Sequence, residues 1–272
     1  YSVDVEDSAG ESGRMDEQVL AGGRTVGAVR VADAVHRTAQ PWTRSVHAVL
    51  RHLEAVGFAG APRVLGFDEQ GREMLSYLDG ETIGGQRPWP AWIRSESALD
   101  QVGRWLRRLH DTTATYVPPE DAVWCVGQAW RPGLVIGHHD AAPFNAVWRG
   151  DDLVGFIDWD TAGPASREMD LAYVALSWVP LYPVDAAVDL GYPASDDRAG
   201  RLKVLLDAYG YDGDRVALGP IVAQRARINA EVIRRAAASG DSTYQALLPV
   251  AETMEQSAHC VAALPDTFWH SP

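Results

Sequence analysis

Lysine is almost absent from this chain: of 24 basic residues, every one but Lys203 is arginine. Cysteine is nearly as scarce. Cys125 and Cys260 are too few and too far apart for a disulfide framework or a zinc ribbon, so a reducing, cytoplasmic setting is expected. No apolar run approaches the ~20 residues of a membrane span, and the first residues lack the basic-then-apolar order of a secretory signal. A basic surplus is also missing. The net charge of −13 disfavours nucleic acid or an anionic membrane surface as a partner.

What is present is an ordinary globular composition, 46% hydrophobic and 22% charged over 272 residues, enough for one large domain or two lobes. Part of the acidity is local. Asp4, Glu6, Asp7, Glu11, Asp16 and Glu17 face only Arg14 within residues 1–17. That polar, glycine- and serine-containing stretch reads as a disordered acidic tail or an added leader, with Met15 a candidate natural start.

From Gln18 the pattern is β-β-β-α-β-β. QVLAGGRTVGAVRVADAVHRT reads as three short strands with turns at Gly22–Gly23 and Ala32–Asp33. TRSVHAVLRHLEAVG carries Val46, Val49, Leu50 and Leu53 at helical spacing and stops at Gly57. RVLGFD and REMLSYL are two further strands. DGETIGG is a loop and the expected lobe boundary, separating 18–78 from 79–272. Beyond it helices dominate, with LVIGH, NAVWRG and LVGFID as embedded strands; TYQALLPVAETMEQSAHCVAAL reads as the last helix. No repeat period appears.

The informative stretch is HHDAAPFN, residues 138–145, with VGFIDWD shortly after. Asp140 follows a strand, where a carboxylate is well placed as a general base. Pro143 marks the segment as a loop. Asn145 and Asp158 offer one amide and one charged oxygen beside neighbouring strands. That set suits Mg²⁺ sharing its shell with water and substrate phosphates.

H-x-D-x-x-x-x-N followed by I-D-W resembles the aminoglycoside phosphotransferase and choline kinase-like family, small-molecule relatives of the protein kinases. The matching residues are His138, Asp140, Asn145 and Ile157-Asp158-Trp159, and the later E-M-D-L-A adds Asp170. The resemblance implies an α+β, bilobal protein-kinase-like fold. A small N-terminal β-sheet lobe with one helix would precede a larger, mainly helical C-terminal lobe. It implies Asp140 as catalytic base, Asn145 and Asp158 on Mg²⁺, Asp170 as a buttress of the catalytic loop and His138 as a structural residue of it. ATP or GTP would be the co-substrate and a small molecule the acceptor. The acidic surface favours a cationic acceptor such as an aminoglycoside, while choline, sugars, nucleosides and amino-acid-like metabolites stay open. So does the oligomeric state.

Kinase chemistry asks for further parts. LAGGRTVG is a glycine-bearing turn but a poor match to G-x-G-x-x-G. The cation of the third strand is Arg37, since no lysine is available there; a guanidinium can hold phosphate oxygens bidentately. Where a helix acid would orient that cation stands Val46, with His47 beside it and Glu54 two turns on, and none is assigned. LSYLDG looks like the inter-lobe hinge, which implies nucleotide contacts from Ser76, Tyr77 and Leu78.

Other features have plainer readings. His139 is a turn residue, Trp148 and Trp159 are packing residues, and Asp160 either touches the metal or, on the plainer reading, fixes the loop through a hydrogen bond. Arg104, Arg107 and Arg108 form a solvated or salt-bridged face. Asp185, Asp189, Asp196 and Asp197 either attract a cation or cap helices. Two rival functions differ in class. One is a non-catalytic nucleotide-binding module, motivated by the missing lysine. The other is a metal phosphohydrolase built on His139-Asp140, disfavoured because strand and proline flank that dyad.

Overall fold

Alternation of apolar and polar residues, as in Val29-Arg30-Val31, gives short strands with one buried face. The computed structural model describes residues 18–20 and 28–270. In it β1 (Gln18–Val19), β2 (Val29–Val31) and β3 (Ala34–Arg37) pair antiparallel in sequence order. The expected tail over 1–17 and the turn at Gly22–Gly23 lie outside the described residues. Ala32 and Asp33 close the second hairpin, Ala32 at φ 53°, the left-handed conformation that two-residue turns demand.

α1 (Thr43–Ala55) follows, burying Val46, Val49, Leu50 and Leu53. Full burial of such side chains contributes about 1.5–3 kcal/mol each. That fixes a helix whose length is marginal on its own in water. β4 (Val64–Phe67) and β5 (Glu73–Ser76) complete a sheet of order β1-β2-β3-β5-β4. Because β5 inserts next to β3, Arg37 and Glu73 become register partners.

The second part of the chain opens on α2 (Glu96–Thr113), whose N-cap Ser95 accepts from the Ala98 amide. Its Leu99, Val102, Leu106 and Leu109 are fully buried. Two antiparallel ribbons come next. β6 (Val135–Gly137) pairs with β9 (Gly163–Ala165), and β7 (Ala146–Arg149) with β8 (Asp152–Phe156). The sequence reading missed β9, because Pro164 argues against a strand.

α3 (Arg167–Trp178), capped by Ser166, is buried from Asp170 to its end. α4 (Val184–Asp189), α5 (Arg198–Tyr209) and α6 (Arg215–Ala238) follow, α5 packing against α2 and α6 against α3. The expected final helix is instead two, α7 (Ser242–Ala246) and α8 (Leu248–Ala262). Pro249 supplies no backbone N–H for continuous helix, but suits the first turn of a new one. α9 (Asp266–Trp269) ends the described chain with Trp269 buried.

The result is the expected α+β arrangement, a sheet lobe with one helix and a larger, mainly helical lobe. The larger of two apolar clusters among the described residues connects them, drawing on α1, α2, α3 and α5, with Trp148 and Trp159 inside it. No described helix is long and apolar enough to cross a membrane.

Candidate active site

The two ribbons decide where the chemistry-bearing residues sit. The loop from β6 to β7 carries His138, Asp140 and Asn145; the loop from β8 to β9 carries Asp158 and Asp160. The Ile157 amide donates to the Asn145 carbonyl at 3.0 Å, so Asn145 and Asp158 sit side by side. His139 and Asp158, both at φ 63°, adopt the left-handed conformation that costs an ordinary residue free energy. Such strain persists where the surroundings over-determine it.

They do. Four consecutive carbonyls of the first loop each accept a side-chain donor. Thr161 Oγ1 donates to His138 O at 2.9 Å, Arg225 Nη2 to His139 O at 2.7 Å, Asn145 Nδ2 to Asp140 O at 2.9 Å and Trp178 Nε1 to Ala141 O at 2.8 Å. Asp170, on α3, closes the loop from below. It accepts from the amides of His138 (3.1 Å) and His139 (2.8 Å) and from His110 Nε2 (3.0 Å). Gly137 makes room for it, since a Cβ there would lie 2.6 Å from the Asp170 carboxyl carbon. Burial alone would raise the Asp170 pKa. The hydrogen bond and charge of His110, with those of the loop, outweigh it and hold the carboxyl well below the usual carboxylate range.

Asp140 itself is buried, and both carboxylate oxygens are engaged: Oδ2 by Asn145 Nδ2 at 2.9 Å, Oδ1 by the Tyr173 hydroxyl. Asn145 thus spends its amide N–H groups on Asp140. Two cavities meet at this pair. One, of about 510 Å³, is lined by Asp140, His139, Tyr173 and Arg225. The other, of about 200 Å³, is lined by Asn145, Asp158, Arg37, Ser76, Tyr77 and Leu78. Every residue of the sequence reading that was assigned to the base, the metal or the nucleotide lines one or the other.

Arg37 is held by three carboxylates. Nε donates to Glu73 Oε1 at 2.7 Å, Nη2 to Asp160 Oδ1 at 2.8 Å and Nη1 to Asp158 Oδ1 at 3.3 Å. Burial would lower its pKa; Asp160, Glu73 and Asp158 more than offset that and raise it. Asp160 is raised by its own burial, against the pull of Arg37. The acid that orients the cation is therefore Glu73, from the neighbouring strand, and His47 Nε2 braces it at 2.9 Å from Oε2. Sequence reasoning looked for that acid on the helix and missed it. Tyr173 had a usable signal, lying one turn beyond Asp170 on the same helix, whereas Arg225 had none.

The remaining expectations divide. Arg104 pairs with Asp100 and Arg107 with Asp111, as a salt-bridged face should. Asp197 caps α5, Asp196 lies 3.6 Å from Arg201, and none of the four aspartates at 185, 189, 196 and 197 lines the larger cavity. Among the described residues no group of three or more histidine, cysteine, aspartate and glutamate side chains is arranged to hold a metal ion by itself.

A family model described as the phosphotransferase enzyme family matches residues 125–218, the span holding both loops, Asp170 and Tyr173. The trifolitoxin immunity protein of Rhizobium leguminosarum bv. trifolii is 43% identical over 200 residues, 72% of this chain and 74% of the relative. The chain belongs to the phosphotransferase enzyme family. Solved structures share this fold at low identity. A choline/ethanolamine kinase family protein from Mesorhizobium loti is 17% identical with a TM-score of 0.58, over 96% of this chain and 92% of that one. The GDP complex of aminoglycoside 2'-phosphotransferase-IIIa is 14% identical with a TM-score of 0.58, over 92% and 94%.

The phosphotransferase loop also sets a pH limit on stability. Burial lowers the pKa of both loop histidines to about 4, helped at His139 by the charge of Arg225. Unfolded histidine titrates near 6.5, so unfolding takes up protons between about pH 6.5 and 4. Stability present above that window is lost as pH falls through it, at up to roughly 1.4 kcal/mol per pH unit for each ring. Thermal melts should show Tm dropping steeply below about pH 6.5; a flat profile down to pH 4.5 would mean that the rings are not held neutral.

Proposed function

We propose that this phosphotransferase moves the γ-phosphoryl group of ATP or GTP to a hydroxyl of a small, antibiotic-like molecule. The observation that carries the reading is the hydrogen-bonded pair Asp140–Asn145, one member facing each cavity. The nucleotide would occupy the smaller cavity, its base against the Ser76–Leu78 segment and its phosphates toward Arg37. The acceptor would occupy the larger. The acceptor oxygen forms the new bond to the γ-phosphorus while the bond from that phosphorus to the bridging oxygen breaks. The hydroxyl proton passes to the Asp140 carboxylate, and nucleoside diphosphate leaves.

The donor set suits Mg²⁺. Asp158 supplies a charged oxygen and Asn145 an amide oxygen whose N–H side is already committed to Asp140. When bound, the ion would neutralise charge on the donor phosphates. Arg37 can serve beside it because Glu73 and Asp160 keep hold of the guanidinium independently of Asp158. The likeness to a protein named for trifolitoxin immunity supports an antibiotic-like acceptor. So does the structure of a gentamicin complex with a related fold, 12% identical with a TM-score of 0.57 over 93% of each chain.

The test is transfer of γ-labelled phosphate from ATP and from GTP to a panel of hydroxylated acceptors spanning aminoglycosides, choline, sugars, nucleosides and hydroxy amino acids. Mg²⁺-dependent labelling of at least one acceptor class is expected. No transfer from either nucleotide, or transfer indifferent to Mg²⁺, would refute the proposal.

A further inference from the structure

Arg225, on α6, is 5% exposed and lines the larger cavity together with Asp140. Its charge is poorly met. Nη2 donates to the His139 carbonyl, and Cζ lies 5.0 Å from the centre of the Tyr173 ring, but buried Nε has no hydrogen-bond partner. Among the described residues no carboxylate stands within ion-pairing distance of this guanidinium. The nearest acids are already occupied: Asp170 by His110 and two amides, Asp140 by Asn145 and Tyr173. Burial accordingly pulls Arg225 below the ordinary arginine range, with Asp170 and Asp140 offsetting only part of it.

A buried charge without a counter-ion is among the more costly things a fold can keep. A second unmet group shares the same wall. His139 is neutral, and its Nε2, 3.2 Å from the Gly163 carbonyl, must carry the proton. That leaves buried Nδ1 as a lone pair with no donor. The other charges of the cavity cancel, since Glu231 and Arg235 pair with each other. Beyond Asp140, no described residue there adds a surplus of acid that would select a cation.

We infer that the acceptor is an anion: a hydroxyl compound bearing a carboxylate, which ion-pairs with Arg225 while its hydroxyl meets Asp140. The inference rests on the phosphotransferase reading of this cavity. A guanidinium takes a carboxylate through parallel N–H···O bonds, and Nε with the free Nη protons can supply them. An N–H beside the carboxylate would satisfy His139 Nδ1. An N-acylated hydroxy amino acid, as at the end of a short peptide, carries all three groups.

The test reads binding rather than turnover. The full chain, saturated with Mg²⁺ and a non-hydrolysable nucleotide, is titrated with N-acetylserine and 4-hydroxybutyrate, each against its carboxamide, and with choline and kanamycin as cations. The acids should bind about tenfold or more tightly than their amides. Arg225→Met should erase that preference and Arg225→Lys should keep part of it. Amides or cations binding as well as acids, no saturable binding of either acid, or an acid preference surviving in Arg225→Met would each overturn the inference. Should Arg225→Met not fold, the wild-type acid–amide comparison and Arg225→Lys still decide. Labelled-phosphate transfer measured alongside separates the two readings: an acid preference without transfer sinks the kinase reading alone, and transfer to cations only sinks this one.

Discussion

Asp140→Asn should lower turnover by roughly 10²–10⁴ with nucleotide affinity nearly unchanged. That range is about 2.7–5.5 kcal/mol of transition-state stabilisation, and the substitution isolates it well. An asparagine at 140 can point its oxygen at Asn145 Nδ2 and its amide at the Tyr173 hydroxyl, which then accepts instead of donating. Each hydrogen bond of the wild-type pair keeps a counterpart. The loop also stays pinned, because its four carbonyl contacts do not involve the Asp140 carboxylate. What is lost is a group able to accept the hydroxyl proton. Turnover within tenfold of wild type, measured with any acceptor that labels, would remove Asp140 from the role of base.

How much of this was legible in the sequence depends on how local the information is. Asp140 and Asn145 share one loop, and Asp158 follows one short hairpin later, so spacing alone brings them to one place. Arg37 was reachable because the chain's only lysine, Lys203, lies far along the chain in α5, which leaves an arginine as the cation of the third strand. Glu73 was not. It meets Arg37 through the pairing of β3 with β5, and a one-residue shift of register would turn it to the other face. The helix was the wrong place to search, since His47 there serves the acid instead of replacing it. Pro164 in β9 and the break before Pro249 were hidden for a related reason. In both places tertiary pairing, or a restart after a turn, decided what local preference could not. The aspartates at 185, 189, 196 and 197 show the converse: their acidity was visible, but that two of them belong to α4 and that none lines the larger cavity was not.

The pinned loop also explains why a strained backbone is tolerated here. His139 at φ 63° turns its ring against Gly163 O while sending its amide to Asp170 and its carbonyl to Arg225. Three hydrogen bonds to one residue outweigh a conformational cost of order 1–3 kcal/mol. Asp158 is bent in the same sense and is held by the amide of its neighbour Ile157 on Asn145. The consequence is that the oxygens proposed as base and metal ligands are fixed before any ligand arrives, which is where much of a phosphotransferase's advantage lies.

Asp158→Ala should abolish Mg²⁺-dependent nucleotide binding while leaving Tm within a few degrees of wild type. The two effects separate because Asp158 contributes unequally to them. For the fold it is the weakest of the three partners of Arg37, at 3.3 Å against 2.7 Å for Glu73 and 2.8 Å for Asp160, and it is the most exposed of them. Removing it leaves the guanidinium doubly paired, so the penalty for an uncompensated buried charge, about 3–5 kcal/mol, does not arise. For the site it is, among the described residues, the only carboxylate beside Asn145 lining the smaller cavity, and an amide oxygen alone binds Mg²⁺ poorly. Nucleotide titrations with and without Mg²⁺ should therefore coincide in the variant and diverge in the wild type. An equal Mg²⁺ enhancement in both would take Asp158 out of the metal site. A collapse of Tm would mean instead that its hold on Arg37 supports the fold.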